Sequence, residues 1–305
     1  MVEGTASLVD AELEQPGRRV TLGDLRWYLR QSRATLVGAI LTALFLVVGI
    51  VGLVMIAVPS LQHLYLDQDL SAALEPPLSG HGLFGTDPLG RDLLARTVAG
   101  VGVSLAIATI VTAISLLLGG VVGILAGYHG GKLDTALSGV VDVAWGFPII
   151  LIVVILAGVL SPGLSTVVIG IAVINWAGFA RIIRGETLRL RELDFVRAAR
   201  ALGSPAWRIM GRHIVPSVIA PSLVLGSYYV AITIIAEAGT SFIGVGAQPP
   251  TPSLGQIIAE GQNYWDENLW VVAIPGIVLV LIVLGLNTLG DGLRDLLDPH
   301  LRESG

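Results

Sequence analysis

The stretch Arg197–Pro216, RAARALGSPAWRIMGRHIVP, carries four arginines yet lies between two strongly apolar segments. It is too polar to enter lipid and too regularly patterned to be a loose linker. Gly203 lies where a left-handed residue would end one short helix, and Ser204 and Pro205 suit the N-cap and first position of another. The stretch therefore predicts two short helices at a membrane surface, with Pro216 at the entry to the next apolar segment.

Apolar spacing supports both short helices but leaves two roles open for the first. It could belong to a hairpin lying on the membrane with its arginines near anionic headgroups, or it could be a docking helix for a cytoplasmic partner. In the docking interpretation Arg197 and Arg200 are exposed, while the face formed by Ala198, Ala199 and Leu202 packs into the partner. The residues at helical spacing are Leu190, Leu193 and Val196 around the first helix, and Trp207, Met210, Gly211 and Ile214 in the second.

Composition places most of the chain in a membrane. Of its 305 residues 53% are hydrophobic and 13% are charged, and the mean hydropathy is +0.79, which leaves too little polar surface to cover a water-soluble globule. The net charge of -5, with the basic residues gathered into two short blocks, gives no support for nucleic-acid binding. The absence of cysteine excludes disulfides and Cys-based metal sites.

Six segments are long and apolar enough to cross a hydrocarbon core about 30 Å thick. The first is too long for a signal peptide and is expected to remain as an anchor. An even number of spans places both termini on the same side. The predicted spans are Thr35 to Val58, Val103 to Gly127, Ala136 to Leu160, Leu164 to Ile183, Ser217 to Gly239 and Val271 to Leu289, with kinks expected at Pro148 and Pro275.

Lysine and arginine set the orientation, because loops rich in them stay cytoplasmic. Of the 18 basic residues, all but Arg91 and Arg96 lie on the side of the termini. The termini and the opening stretch are therefore predicted to be cytoplasmic. The predicted organisation is an N-terminal arm (1–34), a first transmembrane helix (35–58), an extracytoplasmic loop (59–102), a core of five transmembrane helices (103–293) with a cytoplasmic loop at 186–216, and a cytoplasmic tail (294–305).

The opening stretch resembles the cytoplasmic Glu-Ala-Ala loop in permease subunits of ABC importers. The family pattern is Glu-Ala-Ala, three residues, Gly, nine residues, Ile, one residue and Leu-Pro. The resemblance implies that the helix near Phe195 is a coupling helix, which sits in a groove of an ATP-hydrolysing subunit. Ala198, Ala199, Gly203 and Pro216 match the pattern, whereas Arg197, His213 and Val215 replace its Glu, Ile and Leu.

The resemblance runs from about residue 34 to residue 302. It is closest to the C-type permease subunits of dipeptide, oligopeptide and nickel importers, and several dispersed stretches carry it in the right order. They are FGTDPLGRD (84–92), DVAWGFP (142–148), FARIIRGETL (179–188), EAGTSFIGVGAQPPTPSLG (237–255) and NTLGDGLRDLLDP (287–299).

The first of these stretches has a local interpretation of its own. Asp87 suits an N-cap and Pro88 a first helical residue, so a helix is expected to begin there on the outer surface. The resemblance adds that this loop lies at the outer mouth, near the paired permease and the docking solute-binding protein. The motif residues are Gly85, Thr86, Asp87, Pro88, Gly90, Arg91 and Asp92.

Asp142 and Glu237 fall within or at the edge of otherwise apolar spans. An ionised group there is costly and normally faces a cavity or a partner, so both are candidates for the translocation path. The alternative is a position near the interface, where water penetrates. No catalytic motif accompanies them: the chain has no GxxxxGK[ST] and no H-E-x-x-H, and its five histidines are dispersed.

The resemblance implies an all-α integral membrane protein with the six-helix fold of type I ABC importer permeases, in a bacterial plasma membrane. Such a subunit forms half of a pathway for di- or oligopeptides, with nickel or glutathione as alternative cargo. The implied partners are a second homologous permease, two ATPase subunits, an extracytoplasmic solute-binding protein and membrane lipid. ATP and Mg²⁺ would bind the ATPase, and this chain would bind no cofactor, metal or nucleic acid and catalyse nothing. A self-sufficient secondary transporter is the remaining alternative, although no inverted repeat is evident.

Overall fold

The computed structural model describes residues 32–80 and 82–297, with side chains up to residue 295. Most of the predicted arm and residues 298–305 of the predicted tail lie outside the described residues. The α-helices are α1 (Arg33–Ala57), α2 (His63–Leu66), α3 (Leu93–His129), α4 (Gly131–Trp145), α5 (Ile149–Leu160), α6 (Leu164–Leu190), α7 (Asp194–Ala201), α8 (Ala206–Ile209), α9 (Val215–Phe242), α10 (Leu254–Gly261) and α11 (Trp270–Leu297). Short 3-10 turns lie at Pro59–Leu61, Leu70–Ala72 and Gln262–Tyr264, and a π-helical segment lies at Met210–Ile214.

Five helical stretches are long and apolar enough to cross a membrane: α1, α3, α6, the continuous run from α8 to α9, and α11. α4 and α5, which meet at an angle of 82°, are together long and apolar enough for a sixth. Counting this bent pair as one span gives the six spans that the sequence predicts. The all-α membrane fold is thus confirmed, with the third span in two pieces.

The break in the third span follows from its sequence. α4 ends at Trp145 with Gly146 as its C-cap, and Pro148 is the N-cap of α5. Proline has no amide hydrogen and restrains the residue before it to an extended backbone, so the helix cannot continue through Phe147. The predicted kink at Pro148 is therefore a full helix break.

The second span begins earlier than predicted. α3 starts at Leu93, ten residues before the expected Val103, because Asp92 caps it by accepting a hydrogen bond from the Ala95 amide at 2.7 Å. The extra turns are covered by the loop that precedes them. Part of the segment predicted as an extracytoplasmic loop is consequently helix.

Small residues let α3 and α6 touch backbone to backbone. Gly119, Gly123 and Gly127 of α3 face α6, and a Cβ added to Gly123 would lie 2.6 Å from the Ala180 carbonyl oxygen. Larger side chains at these positions would push the helices apart. α3 and α6 therefore form the tightly packed centre of the bundle.

Glycines also fix α1 to the bundle at close helix contacts. We call Gly38, Gly52 and Gly102 the glycine seam. A Cβ on Gly52 would overlap the Val98 carbonyl oxygen, and a Cβ on Gly102 would lie 2.8 Å from the Leu53 amide nitrogen. Nearer the start of α1, Gly38 lies against the backbone of α11 at Leu289. The first span is thus packed into the core rather than attached as a loose anchor.

The bundle has two chemically different ends. At the end that we call the basic end, Arg191 donates to the Gly127 carbonyl at 2.9 Å, and Arg184 pairs with Asp134. At the opposite end, the Gly163 amide donates to the Val245 carbonyl at 3.2 Å. The segment with α7 and α8 lies at the basic end, and the loop before α3 and helix α10 lie at the opposite end.

Candidate functional site

α7 ends in the cap that its sequence predicts. Gly203 has φ of +78°, its amide donates to the Arg200 carbonyl at 3.0 Å, and the Ser204 amide donates to the Ala199 carbonyl at 3.1 Å. This pair of bonds is the Schellman arrangement, which requires a left-handed residue after the helix. A Cβ on Gly203 would meet nothing within 4 Å, so only backbone conformation, and not space, demands glycine here.

α7 has one covered side and one open side. Val196 is fully buried in a cluster with Leu190, Ile209 and Ile214, which fixes α7 against the ends of α6 and α9. On the other side Phe195, Ala198 and Leu202 are exposed, and Leu202 has 86% of its surface open. Their spacing places them on one stripe of the helix. We call this set the apolar stripe.

Two details of the predicted docking face need correction. Ala199 does not share the open face: it is half-buried and packs on the cluster around Val196. The face that remains for a partner is formed by Ala198 and Leu202 together with Phe195. The spacing of residues 198, 199 and 202 could not separate the two sides, because adjacent positions lie only about 100° apart around a helix.

The second short helix also differs from its prediction. Pro205, rather than Ser204, is the N-cap of α8, and Trp207 is 68% exposed instead of sharing the covered side with Ile214. The cause is the π-helical segment Met210–Ile214, whose wider turn shifts the register so that Ile209 and Ile214 are both buried. This widening directly precedes Pro216, whose ring would clash with the carbonyl four residues earlier in a continuous regular α-helix.

The arginines of α7 are occupied by neighbours of their own chain. Arg197 donates to Glu192 at 3.0 Å, and the Arg200 guanidinium lies 5.4 Å from the ring centroid of Tyr128. The hydrogen bond from Arg197, with a second from Arg191, lowers the pKa of Glu192. Arg197, which stands where the family pattern has Glu, is therefore balanced by the exposed carboxylate of Glu192.

The outer-loop motif folds into a tight structure at the opposite end. Gly85 and Gly90 have φ of +75° and +72°, and a Cβ on Gly90 would overlap the Asp69 carbonyl oxygen. Thr86 is buried and donates to the Ala72 carbonyl, while its amide donates to the Glu75 carbonyl at 3.1 Å. The motif thus closes the loop on itself just before α3.

The charged residues of the motif form a buried network that extends to α10. Asp87 accepts from Arg91 Nε at 2.6 Å and also from Arg96, and Glu260 accepts from Arg91 at 2.8 Å and from Arg96 at 2.6 Å. Arg96 is 1% exposed and Glu260 27%. Two arginines are thus balanced by two carboxylates, and we call these four residues the charge network.

The predicted helix start at Asp87 is wrong. The Asp87 carboxylate accepts from the Leu89 and Arg91 amides in a turn, at 2.8 and 3.0 Å, and the helix begins later with Asp92 as its cap. Pro88 therefore lies in the turn. Glu260, the partner that the sequence gave no reason to select, lies 164 residues beyond Arg96, and no local pattern connects the two.

Glu237 is enclosed within the bundle and does not face an open path. It is 0% exposed, and its carboxylate accepts from Ser104 Oγ and Ser241 Oγ, each at 2.7 Å. The bond from Ser104 joins α3 to α9, whereas Ser241 lies one turn further along α9. Hydroxyl donors on α9 itself and on α3 thus enclose the Glu237 carboxylate, and its predicted role in lining the path stays a prediction.

Asp142 is open, in contrast. Its carboxylate pairs with Arg181 at 2.7 Å, and the two side chains are 66% and 49% exposed. The Arg181 guanidinium lies 4.8 Å from the ring centroid of Trp145. Arg181 was missed by the sequence reasoning, which counted it only as a basic residue of the loop.

Within the residues described, no group of three or more His, Asp or Glu side chains could hold a metal ion. The chemistry that these sites offer is docking, ion pairing and close helix contact.

Comparison with known proteins identifies the kind of subunit. Residues 119–303 match the family described as binding-protein-dependent transport system inner membrane component. A protein of Brucella suis, named as a peptide transport system permease, is 42% identical over 231 residues, covering 76% of this chain and 77% of its own. The dipeptide transport system permease protein DppC of Alkalihalophilus pseudofirmus is 33% identical, covering 90% of this chain and 88% of its own.

A solved structure shares the fold. The methionine ABC transporter MetNI, in an inward-facing conformation, matches with a TM-score of 0.55 at 22% identity, covering 67% of this chain and 97% of that chain. The likeness supports the helical architecture described above. By family match, sequence identity and fold, this chain belongs to the inner membrane components of binding-protein-dependent transport systems and is a permease subunit of an ABC importer.

Proposed function

We propose that this permease subunit forms half of a pathway for dipeptides or oligopeptides and couples that pathway to ATPase subunits through α7. Relatives whose names specify peptide and dipeptide transport support the cargo. The proposed complex contains a second homologous permease, two ATPase subunits that bind ATP and Mg²⁺, and an extracytoplasmic solute-binding protein. This chain catalyses no reaction itself, and its basic end and both termini face the cytoplasm.

The observation that carries the coupling role is the apolar stripe. Phe195 and Leu202 are 46% and 86% exposed on a helix that lies at the basic end, beside the ends of the membrane spans. An exposed apolar ridge flanked by charged residues is typical of a surface that a protein partner covers. The stripe is therefore the part of α7 that we assign to the ATPase groove.

A membrane-surface hairpin fits the same residues less well. Its arginines would have to reach anionic headgroups, whereas Arg197 is paired with Glu192 and Arg200 lies over Tyr128. Headgroup attraction is thus partly replaced by contacts within the chain. The stripe and the occupied arginines together favour docking to protein.

The packing of α7 explains how a push on the stripe would reach the pathway. Val196 is buried in one cluster with Leu190, at the end of α6, and Ile214, directly before α9. A packed contact of this kind is displaced as a unit, so movement of α7 moves the cytoplasmic ends of both spans. ATP influences the pathway only through the different affinities of the two ATPase conformations for α7.

The coupling role is tested by placing a charge on the stripe. We expect Leu202→Asp to leave the subunit in the membrane but to remove the ATPase subunits from the purified complex, because a carboxylate would lie in an apolar contact. Leu133→Asp is the matched control, since Leu133 is also exposed at the basic end but lies outside α7. Full retention of the ATPase by Leu202→Asp would contradict docking at the stripe.

The cargo is tested separately. Proteoliposomes containing the complete complex and its solute-binding protein should accumulate a labelled dipeptide in an ATP-dependent manner. Glutathione is the competing cargo to supply in parallel. Uptake of glutathione without uptake of any dipeptide would replace the peptide assignment and leave the coupling role intact.

A further inference from the structure

The ion pair between Asp142 of α4 and Arg181 of α6 is exposed, although both helices belong to membrane spans. An exposed ion pair in such a position needs an explanation. α6 has 27 residues, so it is about 40 Å long, and Arg181 lies about 26 Å along it from Leu164. In the predicted spans, Arg181 lies two residues before the end of the fourth span at Ile183, and Asp142 lies six residues inside the start of the third. The side chains of Arg181 and Asp142 are nevertheless 49% and 66% exposed.

Lipid tails are an unsuitable environment for these two groups. Charged side chains within spans normally face a bundle interior or a water-filled cavity, because hydrocarbon solvates neither ion. The pair borders a cavity of about 290 Å³ between α3, α4 and α6, close to the lower limit of about 300 Å³ for small-molecule pockets. Gly123, Ala126, Ser138, Asp142, Arg181 and Arg184 are among its lining residues.

The pair is also held in a defined position. Trp145 covers one face of the Arg181 guanidinium, and Gly178 leaves room for the Trp145 ring and the Tyr229 hydroxyl, which a Cβ there would displace. Asp142 lies in the last turn of α4, directly before the break at Pro148. A carboxylate and a guanidinium are thus presented side by side at the bend of the broken span.

We propose that Asp142 and Arg181 form a zwitterion-binding site in the translocation pathway. Asp142 accepts a hydrogen bond from the α-ammonium group of a passing peptide, and Arg181 donates one to its α-carboxylate. The ends of the peptide replace the internal ion pair, so no unpaired charge remains in either the empty or the occupied pathway. This inference rests on the proposed peptide cargo. Binding of both peptide ends explains why Asp142 and Arg181 are both present and why both remain accessible.

A single cysteine provides a direct test, because the natural chain contains none. Ser138 lines the cavity one turn before Asp142, and Ser138→Cys changes little in size. In complexes reconstituted with the partner permease and ATPase, a charged, water-soluble thiol reagent should label this cysteine in one nucleotide state and much less in the other. Leu117→Cys, at an exposed apolar position of α3, controls for background labelling.

Protection by ligand then tests recognition without the solute-binding protein. A free dipeptide added directly to inward-open Ser138→Cys complexes should slow labelling, whereas the same dipeptide with an acetylated N-terminus and an amidated C-terminus should not. Arg181→Gln should weaken protection about tenfold, the loss expected when one charge-assisted hydrogen bond is removed. Arg181→Lys, which keeps the charge, should retain most of it and controls for misfolding.

Several results would overturn the inference. Labelling that is equal in both nucleotide states and sensitive to anionic lipid would place the pair against headgroups. Equal protection by free and end-blocked dipeptides would remove the roles of the two charges. If labelling depends on nucleotide and no dipeptide protects, the zwitterion site is wrong; dipeptide uptake by the unmodified complex shows independently whether the peptide cargo is also wrong.

Discussion

Gly203 shows how a single backbone angle can determine where a helix ends and how the chain continues. Its φ of +78° is available to glycine at no steric cost, while the surrounding space is open. The two capping bonds that depend on this angle end α7 and aim the chain toward α8. The requirement at this residue is conformational.

We therefore expect Gly203→Val to destabilise the turn by about 1–2 kcal/mol, the cost of a left-handed backbone for an ordinary residue. ATPase co-purification and transport should fall more than the amount of subunit in the membrane. Gly203→Asn is the matched control, because asparagine adopts this conformation more readily and fits the same space. Equal loss in both variants would mean that side-chain volume, rather than backbone angle, matters here.

Gly90 combines a positive φ with a steric requirement. A Cβ there would overlap the Asp69 carbonyl oxygen in the loop before α3. We expect Gly90→Ala to displace the loop and to lower the unfolding temperature of the detergent-purified subunit more than Gly80→Ala does. Gly80 has φ of +109° but meets nothing within 4 Å, so it isolates the contribution of angle from that of contact.

Features of single residues could be predicted from the sequence where they depend on residues that are close along the chain. The cap at Gly203 and the break at Pro148 follow from what glycine and proline do locally: the cap was predicted, and at Pro148 a kink was predicted where the helix breaks. The side of α7 that Ala199 occupies was not, because it depends on the cluster around Val196 contributed by other helices. Glu260 and Arg181 were missed for the same reason: their partners are distant in sequence.

At the scale of elements, the charge network joins the loop before α3 to α10. Its four members are not equivalent, since Asp87 and Arg96 are each 1% exposed while Glu260 is 27% exposed. Removing one partner of a buried pair leaves the other charge without compensation, which is costly in a poorly solvated site. The network therefore connects the loop to α10, and substitution of its most buried members should destabilise the subunit most.

We expect Asp87→Asn to destabilise the subunit by about 3–5 kcal/mol, the range for one lost partner in a buried ion pair. Glu260→Gln should cost less because water reaches that carboxylate. The comparison is thermal unfolding of the purified subunit, with Glu186→Gln as control. Glu186 pairs with Arg189 at a solvent-exposed site, where such pairs contribute about 1 kcal/mol or less. A smaller effect for Asp87→Asn than for Glu260→Gln would contradict the role of burial.

Elements were predicted with different success for a physical reason. Long apolar runs specify spans almost by themselves, and these were found. The start of α3 was placed too late because Leu93–Gly102 is packed by the preceding loop and by the glycine seam rather than by hydrophobicity alone. The π-helical widening before Pro216 was also unforeseen, and it changed which residues of that helix are buried.

For the whole molecule, the proposed orientation places the two ends of the bundle in different compartments. Sixteen of the 18 basic residues lie with the basic end and the termini in the predicted topology. Single cysteines can test this in the otherwise cysteine-free chain. We expect an impermeant thiol reagent to label Ser79→Cys from outside spheroplasts and Leu202→Cys only in inverted vesicles. Labelling of both from the same side would refute the orientation.

The glycine seam has a practical consequence for measuring motion. Because α1 touches α3 and α11 through backbone atoms at Gly52, Gly102 and Gly38, it cannot turn or slide without moving those helices. Its outward side nevertheless carries exposed residues such as Ile40 and Val47. A spin label or fluorophore at either position would therefore move together with α1, α3 and α11. The distance from such a label to a second one on α7 would then report the movement of α7 relative to these helices.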